Sequence, residues 1–93
     1  MKTMTLDCSV IIPNRNRSDT LFRVLYALEY QKTDADFEVI VVDDQSTDQS
    51  LEYMDKFIQQ TRLKFSCLSG DGRGAGSARN IAIRQARGDW LIF

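Results

Sequence analysis

The segment Phe37 to Asp44, FEVIVVDD, limits the possible folds of this chain more than any other. Val39, Ile40, Val41 and Val42 are all β-branched, which favours a strand, and no polar residue interrupts them, as in a strand buried on both faces. A strand covered on both sides needs helices in two layers. Residues 8–13, CSVIIP, have the same character and read as a neighbouring parallel strand. Residues 63–69, LKFSCLS, alternate apolar and polar side chains as an edge strand does, and residues 89–93, DWLIF, begin a fourth.

Helical spacing fills the gaps. Leu21, Val24, Leu25 and Leu28 mark one apolar face, with Ser18 or Asp19 as its side-chain cap. Leu51, Met54, Phe57 and Ile58 mark a second, where Ser46 and Gln49 form a possible capping box. Ala78, Ile81, Ala82 and Ala86 mark a third, followed by Gly88 as a left-handed stop. Alternating strands and helices predict parallel βαβ units with right-handed crossovers. The expected fold is α/β and Rossmann-like: three layers, α/β/α, around a parallel sheet of strand order 3-2-1-4. The first two helices cover one face and the third alone covers the other. A chain of 93 residues that is 43% hydrophobic suits one small domain over 1–93. In that sheet Cys8 and Cys67 sit about 9 to 10 Å apart, on either side of strand 2, and read as reduced core residues.

Charge and residue usage exclude several functions. A net charge of −1 argues against nucleic-acid binding, which needs a basic footprint. The chain has no histidine, which removes His-based catalysis and the usual zinc sites, so a metal here would be a hard cation on oxygen ligands. No apolar run reaches the ~18 residues of a membrane span, and MKTMTLDCSV lacks the apolar region and cleavage site of a signal peptide. The chain reads as soluble and intracellular.

Ligands of open α/β sheets bind beyond the carboxyl ends of the strands, where the strand order reverses. Three loops meet there: PNRNRSD after strand 1, DDQSTD after strand 2 and SGDGRGAGS after strand 3. Gly70, Gly72, Gly74 and Gly76 precede the third helix, where bare amides and a helix start could meet a phosphate, although such a turn is often only a connection. Arg15, Arg17, Arg73 and Arg79 fall in the same region. Arg17 and Arg73, taken singly, read as solvated surface residues, whereas Arg79 in the first turn of the third helix opposes the helix dipole unless an anion is near. Asp43 and Asp44 are adjacent in an extended strand and point apart, so one can face a ligand while the other orients the turn. A metal pair ranks below that reading, and a purely capping role for both carboxylates is the plain alternative.

Taken together, SVIIPNRNR, FEVIVVDDQSTDQSLE and GAGSARNIAIRQARGDWLIF resemble, in order and spacing, the N-terminal half of family 2 glycosyltransferases, which have the GT-A fold. The resemblance covers Ser9 to Phe93. It implies a nucleotide-sugar site in which Pro13, Asn14, Arg15 and Asn16 line the nucleobase. Asp44 would accept a hydrogen bond from the base, commonly uracil, and Arg79 would be the basic residue beside the nucleotide. Gly74 matches a family glycine, and Gly72 stands where the family usually has Asn. The family often has an aromatic residue at the position of Arg15, whose guanidinium plane can also stack on a base. The family's DxD motif would begin just past Phe93. The resemblance thus implies an incomplete GT-A fold, the nucleotide-binding half alone, with neither catalytic nor metal-binding residues in this chain. The parent would be an inverting transferase that moves a sugar from a nucleoside diphosphate donor, a UDP-sugar, to an acceptor hydroxyl on a saccharide or lipid-linked glycan. It would use Mn2+ or Mg2+ and work in the cytoplasm, peripheral to the membrane. This fragment would bind nucleotide weakly and could self-associate through its exposed strand edge or sheet face.

Two rival classes fit less well. A dinucleotide-binding fingerprint belongs after the first strand, where PNRNRS has no glycine, and Gly72, Gly74 and Gly76 give GxGxG. A phosphoacceptor receiver has its acidic pair after the first strand, and here the pair follows the second. A non-catalytic nucleotide-binding or assembly domain is the remaining alternative.

Overall fold

The computed structural model describes residues 6–93, so the first half of MKTMTLDCSV lies outside the described residues. The elements alternate as β1 (Leu6–Asn14), α1 (Ser18–Glu29), β2 (Phe37–Asp43), α2 (Ser50–Gln60), β3 (Lys64–Ser69), α3 (Ala75–Gln85) and β4 (Gly88–Ile92). All pairings in the sheet are parallel, and its order is β3-β2-β1-β4, as expected. The register sets Asn14 beside Asp43 and Asp43 beside Ser69, which brings the carboxyl ends of β1, β2 and β3 level.

The period of two along β2 divides the core into two layers. Ile40 and Val42 face α3 and pack with Ile11, Ala78 and Ala82. Val39 and Val41 face the other way, onto Leu21 and Leu25 of α1 and Met54 of α2. Small alanines bring α3 close to the sheet, while longer side chains fill the thicker layer under α1 and α2.

Several local expectations are corrected. Met54 and Phe57 turn inward as expected, but Leu51 and Ile58 are 48% and 49% exposed and Ser50 is buried in their place. The capping box at Ser46 and Gln49 does not form, and neither Ser18 nor Asp19 caps α1 with its side chain. Asp48 serves both helix starts: its Oδ2 accepts from the Ser18 amide at 3.1 Å and its Oδ1 from the Ser50 amide at 2.9 Å. The Ser50 hydroxyl beside it and the Ser50 and Ser18 amides hold this carboxyl below its ordinary pKa. Gly88 is not a left-handed stop, because α3 ends at Ala86 in an extended conformation and Gly88 already belongs to β4. Its small size serves a close approach instead: an added Cβ would fall 2.5 Å from the Ser9 amide nitrogen and against the Cys8 backbone. Cys8 is half-buried and Cys67 is exposed on the edge strand, so neither is a core residue, and both are free thiols. Cys67 Sγ lies 3.5 Å from Met54 Sδ, and partial burial with Asp43 and Asp55 nearby pushes its thiol pKa up to about 11.

One buried charge was not anticipated. Glu38 lies in the middle layer, 3% exposed, and accepts 2.6 Å hydrogen bonds from the Ser9 hydroxyl and the Arg87 amide. Ser9 Oγ in turn accepts from the Gly88 amide at 2.8 Å. This network fixes the entry into β4 at the end of the sheet opposite the three loops.

Candidate functional site

Asp43 ends β2 on the α1 and α2 side of the sheet, and Asp44 follows on the α3 side. Both are buried, at 4% and 3% exposure, where a carboxylate without partners would be costly. Each has partners, and they belong to different loops.

Asp43 organises the first two loops. Its Oδ1 accepts from Asn14 Nδ2 at 3.0 Å and from the Ser46 hydroxyl at 2.7 Å, and its Oδ2 accepts from the Ser46 amide at 3.1 Å. Ser46 Oγ also accepts from the Asn16 amide at 3.0 Å. Asn16 Oδ1 then accepts from the amides of Thr47, at 2.6 Å, and Asp48, at 3.1 Å. Asn16 holds φ at 53°, a left-handed conformation that Asn tolerates better than most residues.

Asp44 organises the third loop. Its Oδ1 accepts from the Gly72 amide at 2.6 Å and its Oδ2 from the Gly74 amide at 3.1 Å. The Gly-rich loop was expected to offer bare amides to a phosphate, yet the anion that these two amides meet is a side chain of the protein itself. Gly72 and Gly74 have φ of 81° and 98°, which a side chain would disfavour and which turn their amides inward. Within the loop, Asp71 accepts from the Ser77 hydroxyl at 2.8 Å and the Arg73 amide at 3.0 Å. Those bonds, in that order, hold its carboxyl below the ordinary pKa.

Between the fastened loops lies a cleft of about 160 Å³, lined by Pro13, Asn14, Arg15, Arg17, Asp44, Gly74, Ala75 and Ala78. It contains Pro13, Asn14, Arg15, Asp44 and Gly74 of the residues singled out from the sequence. Asn16, Gly72 and Arg79 do not line it. Asn16 is spent on joining two loops, and Gly72 packs against the exposed Gln45 side chain. Arg79 is exposed on the fifth residue of α3, one position beyond the first turn, and forms no ion pair among the described residues. Arg17, read from the sequence as solvated, lines the cleft; Arg73 stays exposed, 4.0 Å from Asp71. Only the left-handed turn at Asn16 brings Arg17 back to the cleft, and spacing in the sequence carries no signal for it. A wider hollow of about 430 Å³, lined by Phe22, Arg23, Tyr26 and Tyr53, is built by α1 and α2 alone.

Among the described residues no group of three or more Cys, Asp or Glu side chains is placed to hold a metal ion. Asp43 and Asp44 do not fit that task, since their oxygens are committed to donors on opposite sides of the sheet. No helix of the described residues is long and apolar enough to cross a membrane.

Comparison with known proteins bears on the family and the fold. The sequence profile described as "Glycosyl transferase family 2" matches residues 9–93. The chain is 40% identical over 88 residues to poly(ribitol-phosphate) beta-N-acetylglucosaminyltransferase TarS of Staphylococcus aureus, over 91% of this chain and 15% of that protein. The crystal structure of S. aureus TarS 1-349 in complex with UDP-GlcNAc superposes with a TM-score of 0.77 at 36% identity, covering 95% of this chain and 26% of that one. Mannosyltransferase PcManGT from Pyrobaculum calidifontis, in complex with GDP-Man and Mn2+, gives a TM-score of 0.75 at 26% identity, over 89% of this chain and 25% of that one. The chain thus spans a minor part of the relatives it matches. Its sheet order, its two helical layers and the match over residues 9–93 agree with an incomplete GT-A fold, and the chain belongs to glycosyl transferase family 2.

Proposed function

We propose that this chain is the nucleotide-binding part, a single partial domain over 1–93, of an inverting glycosyltransferase that uses a UDP-sugar. The observation that carries the reading is the division of labour between Asp43 and Asp44, which fastens three loops around one cleft at the carboxyl ends of the strands. Pro13, Asn14, Arg15, Asp44 and Gly74 form its wall. Asn16 and Gly72 shape the loops behind it, and Arg79, which follows Ala78 of the wall along α3, is proposed as the basic residue of the nucleotide site. An Asp44 carboxylate with two amide donors still has lone pairs for a base N–H.

In the whole enzyme the acceptor oxygen would displace the nucleoside diphosphate at the anomeric carbon with inversion, after a carboxylate base removes its proton. That base is proposed to lie outside these residues. A divalent cation, Mn2+ or Mg2+, is proposed for the parent enzyme, with ligands proposed to lie elsewhere, because the oxygens of Asp43 and Asp44 already accept from other donors. The free thiols of Cys8 and Cys67 suit a reducing compartment, in keeping with a cytoplasmic place peripheral to the membrane. The acceptor is proposed to be a saccharide or lipid-linked glycan.

Calorimetric titration with uridine diphosphate tests the reading. Weak saturable heat is expected, unchanged when manganese is replaced by a chelator, and the chain alone should transfer no sugar. No heat at millimolar nucleotide would instead favour a role in assembly.

A further inference from the structure

We propose that Arg17 is the residue by which this cleft distinguishes a nucleoside diphosphate from a nucleoside. The inference rests on the nucleotide reading above and deepens it. Asp44, proposed above to take the base, gives the cleft a buried negative charge, so the phosphoryl groups of the same nucleotide need a cation elsewhere on its wall. Arg15 and Arg17 are the cations that line it; Arg73 and Arg79 do not.

The residue between the two arginines is tied to the neighbouring loop. The Asn16 side chain turns to the β2–α2 loop, where it accepts from the Thr47 and Asp48 amides, and its backbone amide binds Ser46 Oγ. That ties down the backbone between the two arginines, and both line the cleft together with Pro13 and Asn14. Arg17 is also held at the helix start, where its carbonyl accepts from the Leu21 amide at 2.9 Å. Its side chain is exposed and forms no ion pair among the described residues. A guanidinium presented from a fixed point can give two parallel N–H bonds to one phosphoryl group, which a lysine cannot.

The test compares uridine and uridine diphosphate by calorimetry for the unaltered chain and for Arg17→Gln, Arg17→Lys and Arg15→Gln. Arg17→Gln should lower diphosphate affinity about tenfold or more, the loss of a charged hydrogen-bond pair, and leave uridine affinity unchanged. Arg17→Lys, which keeps the charge and the helix start, should fall between, and it decides the matter should Arg17→Gln not fold. An unaltered preference for the diphosphate in both Arg17 variants, or a selective loss in Arg15→Gln alone, overturns the proposal. If the unaltered chain binds neither compound, the nucleotide reading itself is wrong.

Discussion

At the scale of residues, the adjacent carboxylates are explained by the two faces of a strand. Asp43 and Asp44 lie next to each other in sequence but act in separate hydrogen-bond sets, so neither has to tolerate the other at contact distance. Replacing either by Asn keeps the size and puts an amide donor where an acceptor is required. Each substitution should therefore cost about 1–3 kcal/mol in denaturant unfolding, the usual range for a buried group left unsatisfied. The variants should separate in function. Asp44→Asn should also lose uridine diphosphate binding, because it alone lines the cleft. An Asp44→Asn chain that binds as well as the unaltered one would contradict the assignment.

At the scale of elements, the strands and helices were legible because period and burial coincide. Val39 to Val42 leave no choice but a doubly covered strand, and the alanine stripe of α3 is that of a helix packed close to a sheet. What sequence spacing did not give were the long-range partners. Asp48, in the loop before α2, also receives the start of α1 from across the molecule, and Glu38 of β2 meets Ser9 of β1 and Arg87 just ahead of β4. Asn14 and Asn16 were expected along the nucleobase, and their bonds to Asp43 and to the Thr47 and Asp48 amides follow only from the fold. Gly88 shows the same limit, since its smallness answers to the β1 backbone, nearly eighty positions away in sequence. β4 also carries a consequence of its own. It is an edge strand whose Trp90 is 75% exposed, with Ile92 and Phe93 exposed beside it, and such edges invite pairing. Self-association through this edge or the adjoining sheet face is proposed; light scattering should show a concentration-dependent rise in mass, and a monomer at high concentration would count against it.

At the scale of the whole molecule, the fold is a frame that brings three loops level, and the loops are then fastened by the protein's own side chains rather than by a ligand. The α1 and α2 layer supplies stability, α3 supplies one wall of the cleft, and the Glu38 network anchors the opposite end of the sheet. Asp43 and Asp44 hold these loops together, and the unit so formed is proposed to bind the nucleotide. Amide chemical-shift mapping of the isotope-labelled chain during a uridine diphosphate titration tests it most directly. Saturable shifts confined to residues 14–17, Asp44 and residues 72–78, moving together with one affinity, are expected. Shifts centred on Phe22, Tyr26 and Tyr53 between the outer helices, or loops that respond independently of one another, would contradict it.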